Sequence, residues 1–259
     1  MSSKTRGHSQ SLVEELRSDL QAVGSEEQAR GAKAYLKSDL QFLGVAAQPL
    51  RRVAIGFLER HPEITAEQLV ELVRRLWEQP VFDLRAAAVA LLERRVTLLE
   101  LDDLGVVEDL LRRSNTWALV DWLCTKVAAP LVERDPEAAA AILRRWSRDA
   151  DFWVRRASML AQLPALRAGA GDFELFASFA ENMVIEKEFF VRKAIGWVLR
   201  EVSKKRPQLV FNFLADHVHE VSGLTLREGV KYLPKEQRED LWRRFDHRTR
   251  IKHGGETRI

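Results

Sequence analysis

The sequence predicts an all-α fold, an α-solenoid of antiparallel helical repeats with a concave basic groove, and three observations predict it. Apolar residues recur at helical spacing almost throughout, with next to no strand-like alternation. Prolines 49, 62, 80, 136, 207 and 234 fall at or just before predicted helix starts, where a missing N–H costs nothing. The third observation is a period. The runs Phe82-Asp83-Leu84-Arg85-Ala86-Ala87, Trp117-Ala118-Leu119-Val120-Asp121-Trp122, Phe152-Trp153-Val154-Arg155-Arg156-Ala157 and Phe189-Phe190-Val191-Arg192-Lys193-Ala194 share an aromatic–x–aliphatic opening. Their first residues lie 35, 35 and 37 positions apart.

In chain order, Ser11 to Val23 and Glu26 to Leu36 read as amphipathic helices, and Leu40 to Pro49 as a loop holding Phe42, Leu43 and Gly44. Helices follow at about 49–60, 65–78, 80–96, 99–113, 117–134, 136–147, 151–163, 172–183, 187–204, 206–216, 222–231 and 234–246. Short connections make neighbouring helices antiparallel hairpins. Each copy of the motif opens the second helix of a pair, and the period, a little under the usual HEAT length, makes the units HEAT-like. No Pro/Gly/Ser-rich linker interrupts them. A single repeat domain is therefore expected over 11–246, after a disordered N-terminus at 1–10 and before a basic C-terminal tail at 247–259.

Composition narrows the function classes. Hydrophobic residues make up 46% and charged residues 31%, with a formal net charge of +3, an ordinary soluble balance leaning weakly towards an anionic partner. The lone cysteine, Cys124, rules out an intramolecular disulfide and fits a reducing, cytoplasmic setting. Met1 to Gln10 is polar and lacks a signal core, and no stretch approaches the roughly 18 apolar residues of a membrane span.

The period has a chemical consequence. Equivalent positions of stacked repeats line one surface, and the fifth position reads Ala86, Asp121, Arg156, Lys193. Charges rarely point into cores, so this column is expected to face the groove. Trp117 lies four residues before Asp121, Trp197 four after Lys193, and Arg200 three after Trp197, which makes one stripe on each helix. Indoles and a carboxylate favour a cation, and arginines favour phosphates. Ordinary readings stand beside these: a core tryptophan, a carboxylate set by the helix dipole, and solvated cations on a repeat face.

At these residues the chain resembles the bacterial AlkD-type DNA alkylation-repair glycosylases, a HEAT-like repeat family. The resemblance runs over about residues 20–230. It is densest in Ala34-Tyr35-Leu36 through Phe42-Leu43-Gly44-Val45, in Leu76-Trp77, from Trp117 to Asp121, from Phe152 to Ala157, and from Glu186 to Glu201. It implies excision of cationic N3- or N7-alkylated purines from double-stranded DNA without base flipping. It places the catalytic carboxylate on Asp121, the groove tryptophans on Trp117 and Trp197, and the phosphate-binding arginines on Arg156 and Arg200. Lys193, from the repeat column, is expected to help them. A groove closed by one chain predicts a monomer, and the residue spacings call for neither metal nor other cofactor. The family often has an acidic residue where Ala118 stands, and residues 231–259 have no clear counterpart. A solenoid scaffold that binds nucleic acid or protein without chemistry is the alternative that bare architecture allows.

Other signals are plainer. His217 and His219 read as a surface helix end, Cys124 as a buried structural thiol, and Arg243, Arg244, Arg248, Arg250 and Lys252 as either a solvated tail or a DNA contact. No glycine run cradles phosphate.

Overall fold

The computed structural model describes residues 3–254, with side chains described over 10–247. It is helical, and among the described residues the sole strand-like pairing is one bridge between Gln41 and Val81. Two compact units divide between Asp135 and Pro136. The side chains of Arg248, Arg250 and Lys252 lie outside the described residues, as do residues 1–2 and 255–259.

The first unit opens with α1 (Ser3–Val23), whose stripe of Leu12, Val13, Leu16 and Leu20 is buried. The helix expected from Ser11 thus starts at Ser3. Helix α2 (Glu26–Leu36) follows, capped by Ser25 accepting from the Gln28 N–H, and it contains no buried residue. It is held by its ends. Gly44, at φ 75°, lies so close to Ser25 O that a Cβ would fall 2.0 Å from it. The carboxylate of Asp83 accepts the N–H groups of Leu43 (2.6 Å) and Val45 (2.9 Å), and Phe42 stacks on Phe82 at 5.0 Å.

Next come α3 (Ala47–Arg60), α4 (Ala66–Glu78) behind a Thr65/Gln68 capping box, and α5 (Phe82–Arg94). Residues Asp83 to Leu92 of α5 are all buried, which fits a helix apolar on nearly every side at the centre of its unit. Helix α6 (Leu104–Arg112) leads to α7 (Trp117–Leu123). The single helix expected at 117–134 is broken by a π-turn at Cys124–Ala128 before α8 (Ala129–Arg134). Pro130 explains the break: it has no N–H to donate and its ring crowds the preceding turn, so Ala129 N–H reaches back to Cys124 O instead.

The second unit contains α9 (Pro136–Trp146), α10 (Phe152–Leu160), the short α11 (Leu163–Arg167), α12 (Phe173–Met183), α13 (Phe189–Ser203), α14 (Pro207–Asp216), α15 (Gly223–Gly229) and α16 (Lys235–Gly254). Helix α11, which the periodicity did not separate from a loop, restarts the chain at Pro164 in a first turn. Helix α13 is central, packing on α10, α11, α12, α14 and α15. Its close approach to α15 needs Gly196, because a Cβ there would sit 2.8 Å from Glu228 Cβ.

The repeat motif has a structural meaning that its periodicity alone did not disclose. Its fourth-position arginine turns back on the turn six residues upstream: Arg85 donates to Gln79 O, Arg155 to Asp149 O and Arg192 to Glu186 O. Two of these arginines also reach forward to the turn before the next motif. Arg85 donates to Arg113 O at 2.7 Å, and Arg155 forms a two-pronged pair with Glu186, both bonds 2.9 Å. The arginine is a staple between successive repeats.

Candidate nucleic-acid interface

Five residues of the expected site lie on two helices, one in each unit. In the first unit, Asn115 takes the left-handed conformation (φ 54°) and turns the chain sharply into α7, and Thr116 caps the helix by accepting from the Ala118 N–H. Trp117 is therefore the first helical residue, with Asp121 one turn on, and both are half-buried. The ring of Tyr35, at the end of α2 and 71% exposed, meets Trp117 edge to face at 5.7 Å. Tyr35 thus joins this surface although helical spacing gave no hint of it; only the stretch Ala34-Tyr35-Leu36 marked the region.

On the next residue the chemistry changes. Trp122 donates through Nε1 to Glu93 (2.7 Å), and Arg51 lies 4.6 Å above its ring while pairing with the same carboxylate at 3.7 Å. Trp122 is therefore braced to α3 and α5. Thr125 Oγ1 donates to the Asp121 carbonyl at 2.7 Å, tying α7 to the π-turn.

In the second unit, Lys193, Trp197 and Arg200 share one face of α13. Lys193 is exposed, its Nζ 5.7 Å from the ring of Phe189, itself 51% exposed. Trp197 and Arg200 are half-buried. Arg200 pairs with Glu228 of α15 and more loosely with its neighbour Glu201, at 3.4 Å.

Arg156 departs from expectation. It is 2% exposed, and its guanidinium donates to Phe190 O and lies 6.0 Å from the Phe190 ring. Ala86, at the same position of the first copy, is also buried. The fifth-position column is therefore not one open surface: its Asp121 and Lys193 members reach solvent, while its Ala86 and Arg156 members are packed. Among the described residues no group of three or more His, Cys, Asp or Glu gathers as metal ligands would. His217 faces Glu220 at 2.8 Å and packs on Phe213. No helix among the described residues is long and apolar enough to cross a membrane.

A family model described as DNA alkylation repair enzyme matches residues 16–233, nearly the whole of both units. The chain belongs to the DNA alkylation repair enzyme family. Among solved structures, a protein from Enterococcus faecalis described as "Predicted DNA alkylation repair enzyme" is 25% identical, with a TM-score of 0.75 over 82% of this chain and 97% of that one. AlkD2 from Streptococcus mutans, at 18% identity and a TM-score of 0.57, covers 73% of this chain and 90% of its own, and shares the fold. So does smu.31 from Streptococcus mutans UA159, at 19% identity and a TM-score of 0.56 over 72% and 98%. No curated protein matches the sequence.

Membership makes DNA alkylation repair the process this chain serves and DNA its partner. The DNA alkylation repair match ends at residue 233, so the whole of α16 lies beyond it. Trp117, Asp121, Lys193, Trp197 and Arg200 fall inside it on exposed or half-buried positions, and Arg156 falls inside it within a core.

Proposed function

We propose that this chain is a DNA glycosylase that hydrolyses the N-glycosidic bond of N3- or N7-alkylated purines in duplex DNA, leaving the lesion in the helix. The observation that carries the reading is the pair on α7. A capped helix start holds an indole and a carboxylate on one partly open face, one turn apart, beside the exposed ring of Tyr35.

Alkylation at N3 or N7 puts a positive charge on the purine, so the base departs without a general acid. The C1′–N bond breaks, its electron pair neutralises the leaving purine, and the deoxyribose becomes an oxocarbenium ion. Asp121 stabilises that ion and orients the water that adds to C1′, whose proton passes to the carboxylate and then to solvent. The face of Trp117 lies against the sugar and favours the developing charge, and Trp197 offers its indole to the substrate from the second unit. Lys193 and Arg200 hold backbone phosphates. Arg156, buried under Phe190, holds α13 in place and does not contact phosphate. Because the base leaves as a neutral purine, extrusion into an enclosed pocket is unnecessary and the unstacking energy is not spent. The protein acts as a monomer in the cytoplasm.

The test is release of 7-methylguanine from methylated duplex DNA, with hypoxanthine as a neutral lesion alongside. Release of the charged base alone is expected. Asp121→Asn is expected to slow release by roughly 10²–10³-fold, the scale of removing a charge-stabilising group, while duplex binding stays close to that of the parent. Release by Asp121→Asn at the parental rate would overturn the role of the carboxylate.

A further inference from the structure

The C-terminal half of α13 carries a second feature that the chemistry at α7 does not use. Glu201 is 6% exposed, yet three cations converge on it: Lys204 Nζ at 2.8 Å, Arg167 Nε at 3.0 Å and Arg200 Nε at 3.4 Å. Lys204 and Arg167 share one carboxylate oxygen, and Arg200 takes the other. Burial pushes the Glu201 carboxyl up, but the Lys204 hydrogen bond and the Arg167 charge outweigh it and hold the group below its ordinary range.

A helix C-terminus needs no such crowd. One cation in the last turn already complements the dipole, whereas a carboxylate, with about four lone-pair sites on its two oxygens, can hold three cations at once. Here the acid is sunk while its partners stay open, Arg167 and Lys204 more so than Arg200. Beyond them Tyr232, also exposed, receives Lys204 on its ring at 4.9 Å and Lys231 at 5.9 Å. Four cations thus surround two carboxylates, Glu201 and Glu228, so the patch keeps a positive surplus whose geometry is fixed from below.

We infer that Glu201 is a positioning residue for a platform of Arg167, Lys204 and Arg200 that binds the phosphodiester backbone of duplex DNA. Long flexible cations lose side-chain entropy when they settle on phosphates, and a shared buried anchor removes part of that loss beforehand. The platform rests on the reading that this chain binds duplex DNA, and it adds to the α13 stripe a contact that the repeat column does not contain.

The sign of one substitution separates positioning from plain charge. Glu201→Gln removes a negative charge, so Coulomb attraction alone would tighten DNA binding. A positioning role makes it weaker. The experiment is fluorescence anisotropy of a labelled, undamaged duplex titrated with full-length protein across a salt series, with 7-methylguanine release by the wild-type protein measured in parallel. Arg167→Ala and Lys204→Ala, which remove no core group, are expected to weaken binding roughly tenfold each, and each lowers the log–log salt slope by about 0.9. Glu201→Gln is expected to weaken binding without lowering thermal stability enough to unfold the protein at the assay temperature. Should that variant unfold, the two alanine variants decide alone.

Parental affinity and slope in both alanine variants, or tighter binding by folded Glu201→Gln, would overturn the platform. Base release by the wild type in that case would leave the glycosylase reading standing. The converse result, weakened variants without base release by the wild type, would uphold the platform and defeat the glycosylase. A wild type that binds no duplex defeats both.

Discussion

Helices α5 and α7 open with the same motif in the same unit and are used in opposite ways. In α5 the fourth position is Arg85, stapling two turns through Gln79 O and Arg113 O, and the fifth is a buried alanine. In α7 the fourth position is Val120, fully buried, and the fifth is the half-buried Asp121. The α7 copy has given up the arginine that α5, α10 and α13 all keep. A repeat that breaks its own rule while carrying a half-buried carboxylate is the pattern expected at functional sites.

The largest effect that would break this comparison lies in α5. Arg85 is buried beside Trp77, and burial followed by the nearby Arg113 charge pulls its guanidinium below the ordinary arginine value. Arg85→Met would leave two backbone carbonyls without these donors, and we expect a loss of about 3 kcal/mol in urea unfolding. Asp121→Asn in α7 is expected to cost less than about 1 kcal/mol in the same assay, because the site is partly solvated. Equal losses would show that α7 is an ordinary structural repeat.

The same contrast recurs between α10 and α13, with a smaller effect. Their fifth positions, Arg156 and Lys193, are both cationic, yet one is packed and the other exposed. What covers Arg156 is the residue at the second position of the next copy, Phe190, through both its carbonyl and its ring. We expect Arg156→Ala to lose about 2 kcal/mol of stability. Lys193→Ala is expected to stay within about 0.5 kcal/mol of the parent and to reduce the salt slope of duplex binding by about 0.9. Parental stability of Arg156→Ala combined with a reduced slope would put that guanidinium back on phosphate.

These pairs explain how much could be read beforehand. The helices, their order and most of their boundaries were legible because apolar spacing, prolines and caps act locally. The Trp117–Asp121 stripe and the Lys193–Trp197–Arg200 stripe were legible for the same reason, since each lies on one helix. The fate of Arg156 was not, because its packing involves the carbonyl and ring of a residue 34 positions away. The π-turn before Pro130 hid inside an unbroken apolar period, and Glu201 passed as one more charge in an ion-rich helix. Its three partners come from α11, from α13 and from Lys204 just after α13.

The smallest effect concerns acid, and it too divides the units. Glu201 in the second unit and Glu15 in the first both titrate below the ordinary glutamate range. In Glu15, desolvation is outweighed by hydrogen bonds from Arg60 and His61. A depressed carboxyl contributes stability that is full above the unfolded pKa and is lost as pH falls through the folded one. The first unit has an opposing group. Asp83 is pushed up by burial, with the Val45 and Leu43 N–H groups resisting, so its folded form holds more protons than the unfolded chain just above the ordinary aspartate range. Acidification there favours the fold slightly and offsets part of the loss at Glu15. Amide hydrogen exchange of the whole protein, followed from roughly pH 5 to pH 3, is therefore expected to show protection falling faster in α13 than in α5. Glu201→Gln should flatten the α13 profile and leave that of α5 unchanged. Parallel profiles in the wild type would mean that the buried carboxylates of the two units do not set their separate responses to acid.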